Sequence, residues 1–230
     1  MKSFSKCLIC SVVILAILLS SLTASAQTDD TCDTSLPASA YFRRGNAAFR
    51  DKDYETAITE YTCAIKRNPT STLAFLYRGS AHYYLEQYDE AMSDYTEAVK
   101  LDSTQAEAYM GQAAVYMLYN MPDEAITAAR NGVQLDPEDA DIHYTLGRAY
   151  AMSRDYAQSA SSYKNAISLE PHYADAYWGL GSDYDNLMMY QPAISAYQHY
   201  VDLAGDSADE GIVARLDYLK HLLGLDKSPL

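Results

Sequence analysis

Tyrosines recur every 34 residues along most of this chain. Tyr54, Tyr88, Tyr156 and Tyr190 share one register, with Pro122 in the remaining slot, and Tyr61, Tyr95, Tyr163 and Tyr197 share a second, with Ala129 in the gap. A third register holds Gly45, Gly79, Gly147 and Gly181 with Ala113 between them, and a fourth holds Ala57, Ala91, Ala125 and Ala193 with Ser159 substituting. A fixed period of this length means that one supersecondary unit is repeated. Each unit buries its apolar face against its neighbours and not on itself.

Within one period the apolar residues fall twice at helical spacing, for example Tyr41, Phe42, Ala48, Phe49 and then Ala57, Ile58, Tyr61, Ala64, Ile65. Each unit is therefore two amphipathic helices. Polar breakers such as Arg50-Asp51-Lys52-Asp53 separate the two, and Asn68-Pro69, Asp136-Pro137 and Glu170-Pro171 part successive units where proline stops the preceding helix. Pro122 opens a helix, a position where its missing N–H costs little. No strand pattern appears. The units are placed at 37–70, 71–104, 105–138, 139–172 and 173–206, with Ser103 and Gly205 departing from the unit-ending proline. Residues 207–224 are expected to close the stack as a capping helix, with Ile212, Val213, Leu216, Leu219, Leu222 and Leu223 on its inner stripe; 225–230 is a short tail.

These registers resemble the tetratricopeptide repeat, a 34-residue helix-turn-helix with the pattern W-x2-L-G-x2-Y, then A-x3-F, then P. Leu146-Gly147-Arg148-Ala149-Tyr150 and Leu180-Gly181-Ser182-Asp183-Tyr184 carry the first element, and Ala193 to Tyr197 carries the second. The resemblance implies an all-α, right-handed α-solenoid of five helix-turn-helix repeats. Small residues on the first helix would admit close approach of the second, whose aromatic fills the space between hairpins.

The first residues form a different segment. Lys2 and Lys6 precede an apolar run from about Leu8 to Leu22, followed by Ala24-Ser25-Ala26 and polar Gln27. This is the pattern of a secretory signal peptide, 1–26, ahead of a polar leader, 27–36; the apolar run is short for a membrane span. The chain is therefore expected to work outside the cytoplasm, periplasmic or secreted, the alternative being an uncleaved segment that anchors it to a membrane. Cleavage would remove two lysines and no acids from a chain of net charge −14. So acidic a surface repels nucleic acid and anionic membranes. It suits a basic partner, although an acidic balance is also the ordinary route to solubility. Of four cysteines only Cys32 and Cys63 follow the cleavage point, so in an oxidising compartment they are candidates for a disulfide, with two unpaired thiols as the alternative.

In the resembled family the first helices line a concave face that holds a peptide or a partner's helix. Carrying the inward positions over gives Phe42, Leu76, Met110, Tyr144 and Trp178 on one line, with Asn46, Phe49, Tyr83, Tyr84, Met117, Arg148 and Met152 further along the helices. Such a groove would be apolar and aromatic, rich in types that give large contact area for little rotamer entropy. Glu107, Asp141 and Asp175 fall at the repeat spacing near the starts of three first helices. They read either as an acidic stripe for basic side chains or, more plainly, as acids complementing the helix dipoles. Asn46 is one residue shared with a subfamily that clamps the terminal carboxylate of chaperones; Phe42, Tyr77, Glu107 and Gly111 stand where most of the others would be, which disfavours that role.

His82, His143, His172, His199 and His221 show no metal-ligand spacing, and no nucleophile elbow or phosphate-binding loop is present, so neither metal, cofactor nor catalysis is expected. The sequence reads as an exported, non-catalytic scaffold for a protein or peptide partner, its own oligomeric state left open. The alternative is an accessory carbohydrate-binding component of cell-envelope polysaccharide assembly or export, resting on aromatic faces that also stack on sugars.

Overall fold

A computed structural model of the protein describes residues 32, 33 and 35–225. The expected signal peptide, most of the leader and the last five residues of the tail lie outside that range. The residues up to Leu36 and those from Pro37 onward are two separate units. In the first, the Leu36 N–H donates to the Asp33 carbonyl at 3.2 Å and the Ser35 N–H to Asp33 Oδ1 at 2.8 Å, forming a tight turn.

The second unit holds five helical hairpins. They are α1 (Ala38–Arg50) with α2 (Tyr54–Arg67), α3 (Thr72–Tyr84) with α4 (Tyr88–Leu101), α5 (Ala106–Leu118) with α6 (Pro122–Leu135), α7 (Ala140–Met152) with α8 (Tyr156–Leu169), and α9 (Ala174–Asn186) with α10 (Tyr190–Ala204). A 3-10 turn at Gly205–Ser207 leads to α11 (Glu210–Leu222). Among the described residues there is no strand, and no helix is long and apolar enough to cross a membrane.

Helix starts and stops follow from local chemistry. Asp53, Asp139, Asp155 and Asp209 accept N–H bonds from the first turns of α2, α7, α8 and α11, and Pro122 sits at the first turn of α6. At their C-termini, α2, α6 and α8 end on Asn68, Asp136 and Glu170, each extended ahead of a proline. Asp102 is equally extended after α4 with Ser103 following, so the break there does not depend on proline.

The turns inside the hairpins hide a fifth register. Lys52, Glu86, Asn120, Arg154 and Met188 all have φ between 56° and 63°, the left-handed region, and none is glycine. Each sits where the next residue's N–H reaches back over the helix end, as in Asp53 to the Ala48 carbonyl (2.9 Å) and Met189 to the Tyr184 carbonyl (2.8 Å). Left-handed backbone costs a side-chain-bearing residue about 1 kcal/mol, and closing the hairpin offsets it five times over.

Layering explains the curvature of this unit. First helices of successive hairpins touch one another, and each second helix touches the first helix that follows; second helices of successive hairpins make no mutual contact among the described residues. The first helices are thus the tighter, inner layer of a solenoid, and their free sides line its concave face. Between the layers the registers meet as knob and hole. The Tyr95 ring lies between Gly79 and Gly111, and the Tyr163 ring between Gly147 and Gly179; a Cβ placed on Gly111 or Gly179 would fall 2.5 Å from the ring. α11 closes the last hairpin with Leu216 and Leu219 buried against Ile194 and Tyr197. Leu222 and Leu223 do not join that stripe as expected. They are 51% and 41% exposed, because the helix ends at Leu222 and the chain turns away through Gly224 at φ 65°.

Candidate functional site

The concave face carries aromatic side chains in two groups. At the first two hairpins Phe42 packs against Tyr61 and Tyr77, with ring centroids 5.8 Å apart in each pair, and Phe49 meets Tyr54, Tyr77 and Tyr84. Tyr54 and Tyr84 are stacked at 4.9 Å and 8°, while Tyr83 stands edge-on to Tyr84 and Tyr88. Tyr84 is 57% exposed, so this cluster ends in a free aromatic face. At the fourth and fifth hairpins Tyr144 leans on Tyr163 and Tyr173, and the Arg148 guanidinium lies 5.8 Å over the Tyr144 ring. Trp178, one register further on, is 41% exposed.

Most of the carried-over groove residues are accessible. Phe42, Asn46, Phe49, Tyr83, Met110, Met117 and Tyr144 are half-buried, and Arg148 and Trp178 are exposed. Leu76 is the exception. It is buried in the core with Ala91, Tyr95 and Ala108, and the partly buried Phe75 and Tyr83 pack against the same cluster.

The three acids do not form a uniform stripe. Each lies in the first turn of its helix, α5, α7 or α9. All three are exposed, but Asp141 Oδ1 accepts the Tyr173 hydroxyl at 2.6 Å and Glu107 accepts the Gln105 amide, whereas Asp175 makes no such bond among the described residues. The bond to Asp141, added to burial, holds the Tyr173 phenol well above its ordinary range. Cys32 and Cys63 are both disulfide-bonded, and Cys63 is buried on α2.

Two open niches lie one repeat apart along the groove. The first, of about 520 Å3, is lined by Arg43, Asn46, Phe49, Arg50, Tyr61 and Tyr77. The second, of about 180 Å3, is built at the equivalent place from Tyr83, Tyr84, Tyr95, Met110 and Ala114, with Ser80 in the register of Asn46. Asn46 Oδ1 accepts the Tyr61 hydroxyl at 2.8 Å, which fixes the amide in the niche wall and leaves its N–H groups unoccupied. Arg43, Arg50, Tyr77 and Tyr84 belong to these walls. In the sequence, their registers could have been extended from Asn46 and Phe49, but residue type varies too much along them to stand out.

Polar groups beneath the groove are structural. The Arg78 guanidinium grips the buried Asp94 carboxylate with bonds of 2.7 and 2.6 Å and reaches Thr62 on the preceding hairpin. Asp183, 2% exposed on α9, has one carboxylate oxygen without a partner, and burial raises its carboxyl to about pH 7. It stands in the register of Ala47, Ala81, Val115 and Ala149, and its neighbour Ser159 is the exception in an alanine register. Two polar departures from two apolar registers were the sequence signal for that pair. His143 is also buried, with Nε2 3.0 Å from the Pro137 carbonyl. No group of three or more His, Cys, Asp or Glu side chains among the described residues is placed to hold a metal ion.

Models of one repeat family match three stretches of the chain: a "Tetratricopeptide repeat" at 38–71, a "TPR repeat" at 79–118 and a second "Tetratricopeptide repeat" at 140–173. The chain is a tetratricopeptide-repeat protein. Several solved structures share its fold. PilW, described as a widely conserved type IV pilus biogenesis factor, superposes with a TM-score of 0.72 at 17% identity, covering 81% of this chain and 86% of PilW. MamA from Desulfovibrio magneticus RS-1 gives 0.64 at 20% identity, with coverage of 74% and 97%. YrrB, described as having an unusual peptide-binding site, gives 0.62 at 18% identity, with coverage of 85% and 100%. At these identities the likeness is one of fold. No curated protein matches the sequence. Tetratricopeptide repeats build protein-interaction scaffolds, and that is the architecture of this chain.

Proposed function

We propose that this protein is an exported, non-catalytic scaffold that holds a partner polypeptide in the concave groove of its repeats. One observation carries the reading: first helices leave Tyr77, Tyr84 and Trp178 at 37%, 57% and 41% exposure, and Tyr77 and Tyr84 line open niches. Aromatic side chains left uncovered in a concave surface are the residue type that anchors interfaces. The peptide-binding site described for YrrB is in keeping with this use of the fold. Export is proposed from the first 26 residues of the sequence, and the disulfide-bonded state of Cys32 and Cys63 agrees with an oxidising compartment.

Trp178 is the only tryptophan, so its emission reports occupancy of the groove. Titration of the mature protein with peptide pools is expected to shift that emission, while oligosaccharides leave it unchanged. A response to sugars with none to peptides would replace this reading by the carbohydrate-binding one.

A further inference from the structure

Charge is unevenly spread along the inner layer. α1 contains Arg43, Arg44 and Arg50 and no acid, whereas α9 contains Asp175, Asp183 and Asp185 and no base. In a chain of net charge −14, the first niche is therefore an island of positive charge. Three other cations of the repeat unit are ion-paired. Arg78 is held by Asp94, Arg215 by Asp185 and Lys100 by Glu97. Arg43 and Arg50 are exposed, and neither is ion-paired among the described residues. They stand two turns apart on one helix, about 10 Å. Between them the Asn46 amide has its oxygen occupied by Tyr61 and its N–H groups open. Of the acids in the adjoining turn, Asp53 is engaged in capping α2. Phe49 and Tyr77 form the walls, which lower the local dielectric and strengthen a charge-assisted bond made there.

The next niche is chemically different. Tyr84 and Gly111 stand where the first niche has Arg50 and Tyr77, Met110 joins the wall, and the lining contains no charged side chain. First helices in contact lie about 10 Å apart, a distance an extended peptide covers in about three residues.

We infer that the groove selects an extended internal peptide segment with an acidic side chain in the Arg43–Asn46–Arg50 niche and an aromatic or large apolar side chain about three residues away in the Tyr83–Tyr84–Met110 niche. The inference rests on the peptide-groove reading above and names what that groove prefers. An acidic residue in the first niche meets three donors and no carboxylate among the lining residues, while Asp175, exposed on α9 at the far end of the groove, repels the same side chain. The polarity therefore also fixes which end of the partner lies at the first hairpin.

The test uses the mature full-length chain and fluorescein-labelled nonapeptide pools, either acetylated and amidated or with a free C-terminus, randomised except for Glu-x-x-Phe, Gln-x-x-Phe, Lys-x-x-Phe or Glu-x-x-Ala and the four reversed orders. Binding is read by anisotropy at low and high salt. One Glu pool is expected to bind about tenfold tighter than its Gln counterpart, with Lys weakest and the advantage shrinking as salt is raised. In Arg43→Gln/Arg50→Gln the Glu advantage is lost while Gln-pool binding persists. Equal binding of Glu and Gln pools, or a Glu advantage that survives in the double variant, overturns the inference and leaves the groove reading standing. Glu preference seen only with free C-termini overturns the assignment to an internal segment. Failure of every pool, with no dependence on Phe, overturns both.

Discussion

Tyr163 shows how one side chain sets the identity of two others. Its ring fills the space between the fourth and fifth hairpins and is met from both sides by backbone at Gly147 and Gly179. The same arrangement surrounds Tyr95, with Gly79 and Gly111. In the third hairpin the ring is missing, and all three positions change together: Ala129 takes the tyrosine's register while Ala113 and Thr145 take those of the two glycines. Leu146 and Tyr150 pack there against Ala113 and Ala129. The glycines are thus there for close approach and not for backbone freedom. Gly179→Ala, with its Cβ 2.5 Å from the Tyr163 ring, is expected to destabilise the protein by about 1–3 kcal/mol in urea titration, the ordinary cost of overpacking a filled core. An unchanged midpoint would mean that the ring is free to move aside.

At the scale of helices and hairpins, Asp183 makes the junction of the last two hairpins respond to pH. Three elements face its buried carboxyl. α8 contributes Ser159 and the Tyr163 phenol, α10 contributes the Tyr197 phenol, and α7 contributes the Gly147 carbonyl, to which the Ser159 hydroxyl donates at 2.8 Å. Both phenols are raised by burial and neutral near pH 7, so no cation compensates a charge on Asp183. With the folded value at about 7 against an ordinary 3.8, the folded chain holds a proton that the unfolded chain releases. The contribution to stability is fully present below about pH 4 and is lost as pH rises through about 7. Thermal unfolding should therefore show a midpoint falling between pH 5 and pH 8, and Asp183→Asn should remove that part of the slope. A wild-type slope that persists in the variant would place its origin elsewhere. The hairpins themselves were legible in the sequence, since Tyr, Gly, Ala and Pro recur in fixed registers and each has one physical job. The five left-handed turn residues were not, because Lys52, Glu86, Asn120, Arg154 and Met188 share a backbone conformation and no side-chain chemistry. Nor was the end of the stripe on α11, where helical periodicity continued two residues past the last buried contact.

For the molecule as a whole, curvature turns the pattern into a surface. Periodicity identified first helices and the line from Phe42 to Trp178, but it could not separate a residue that lines the groove from one beneath it. Leu76 shares the register of Phe42 and Trp178 and is nevertheless buried, packed with Tyr95 of its own hairpin and Ala108 and Val115 of the next. The acidic residues likewise share a spacing and are all exposed, yet Asp141 accepts a bond from Tyr173. What the groove offers is thus decided by neighbours in the stack, with aromatic faces at Tyr84 and Trp178 on its inner side and isolated leucines, Leu135 and Leu169, at the ends of second helices. The most direct test of the scaffold reading is site-specific photo-crosslinking in the living cell, with a benzophenone side chain placed singly at Tyr84, Trp178, Leu135 and Leu169. The account predicts that Tyr84 and Trp178 capture the same polypeptide and that Leu135 and Leu169 capture none. Adducts formed only from Leu135 and Leu169 would contradict it and move the interaction to the outer layer.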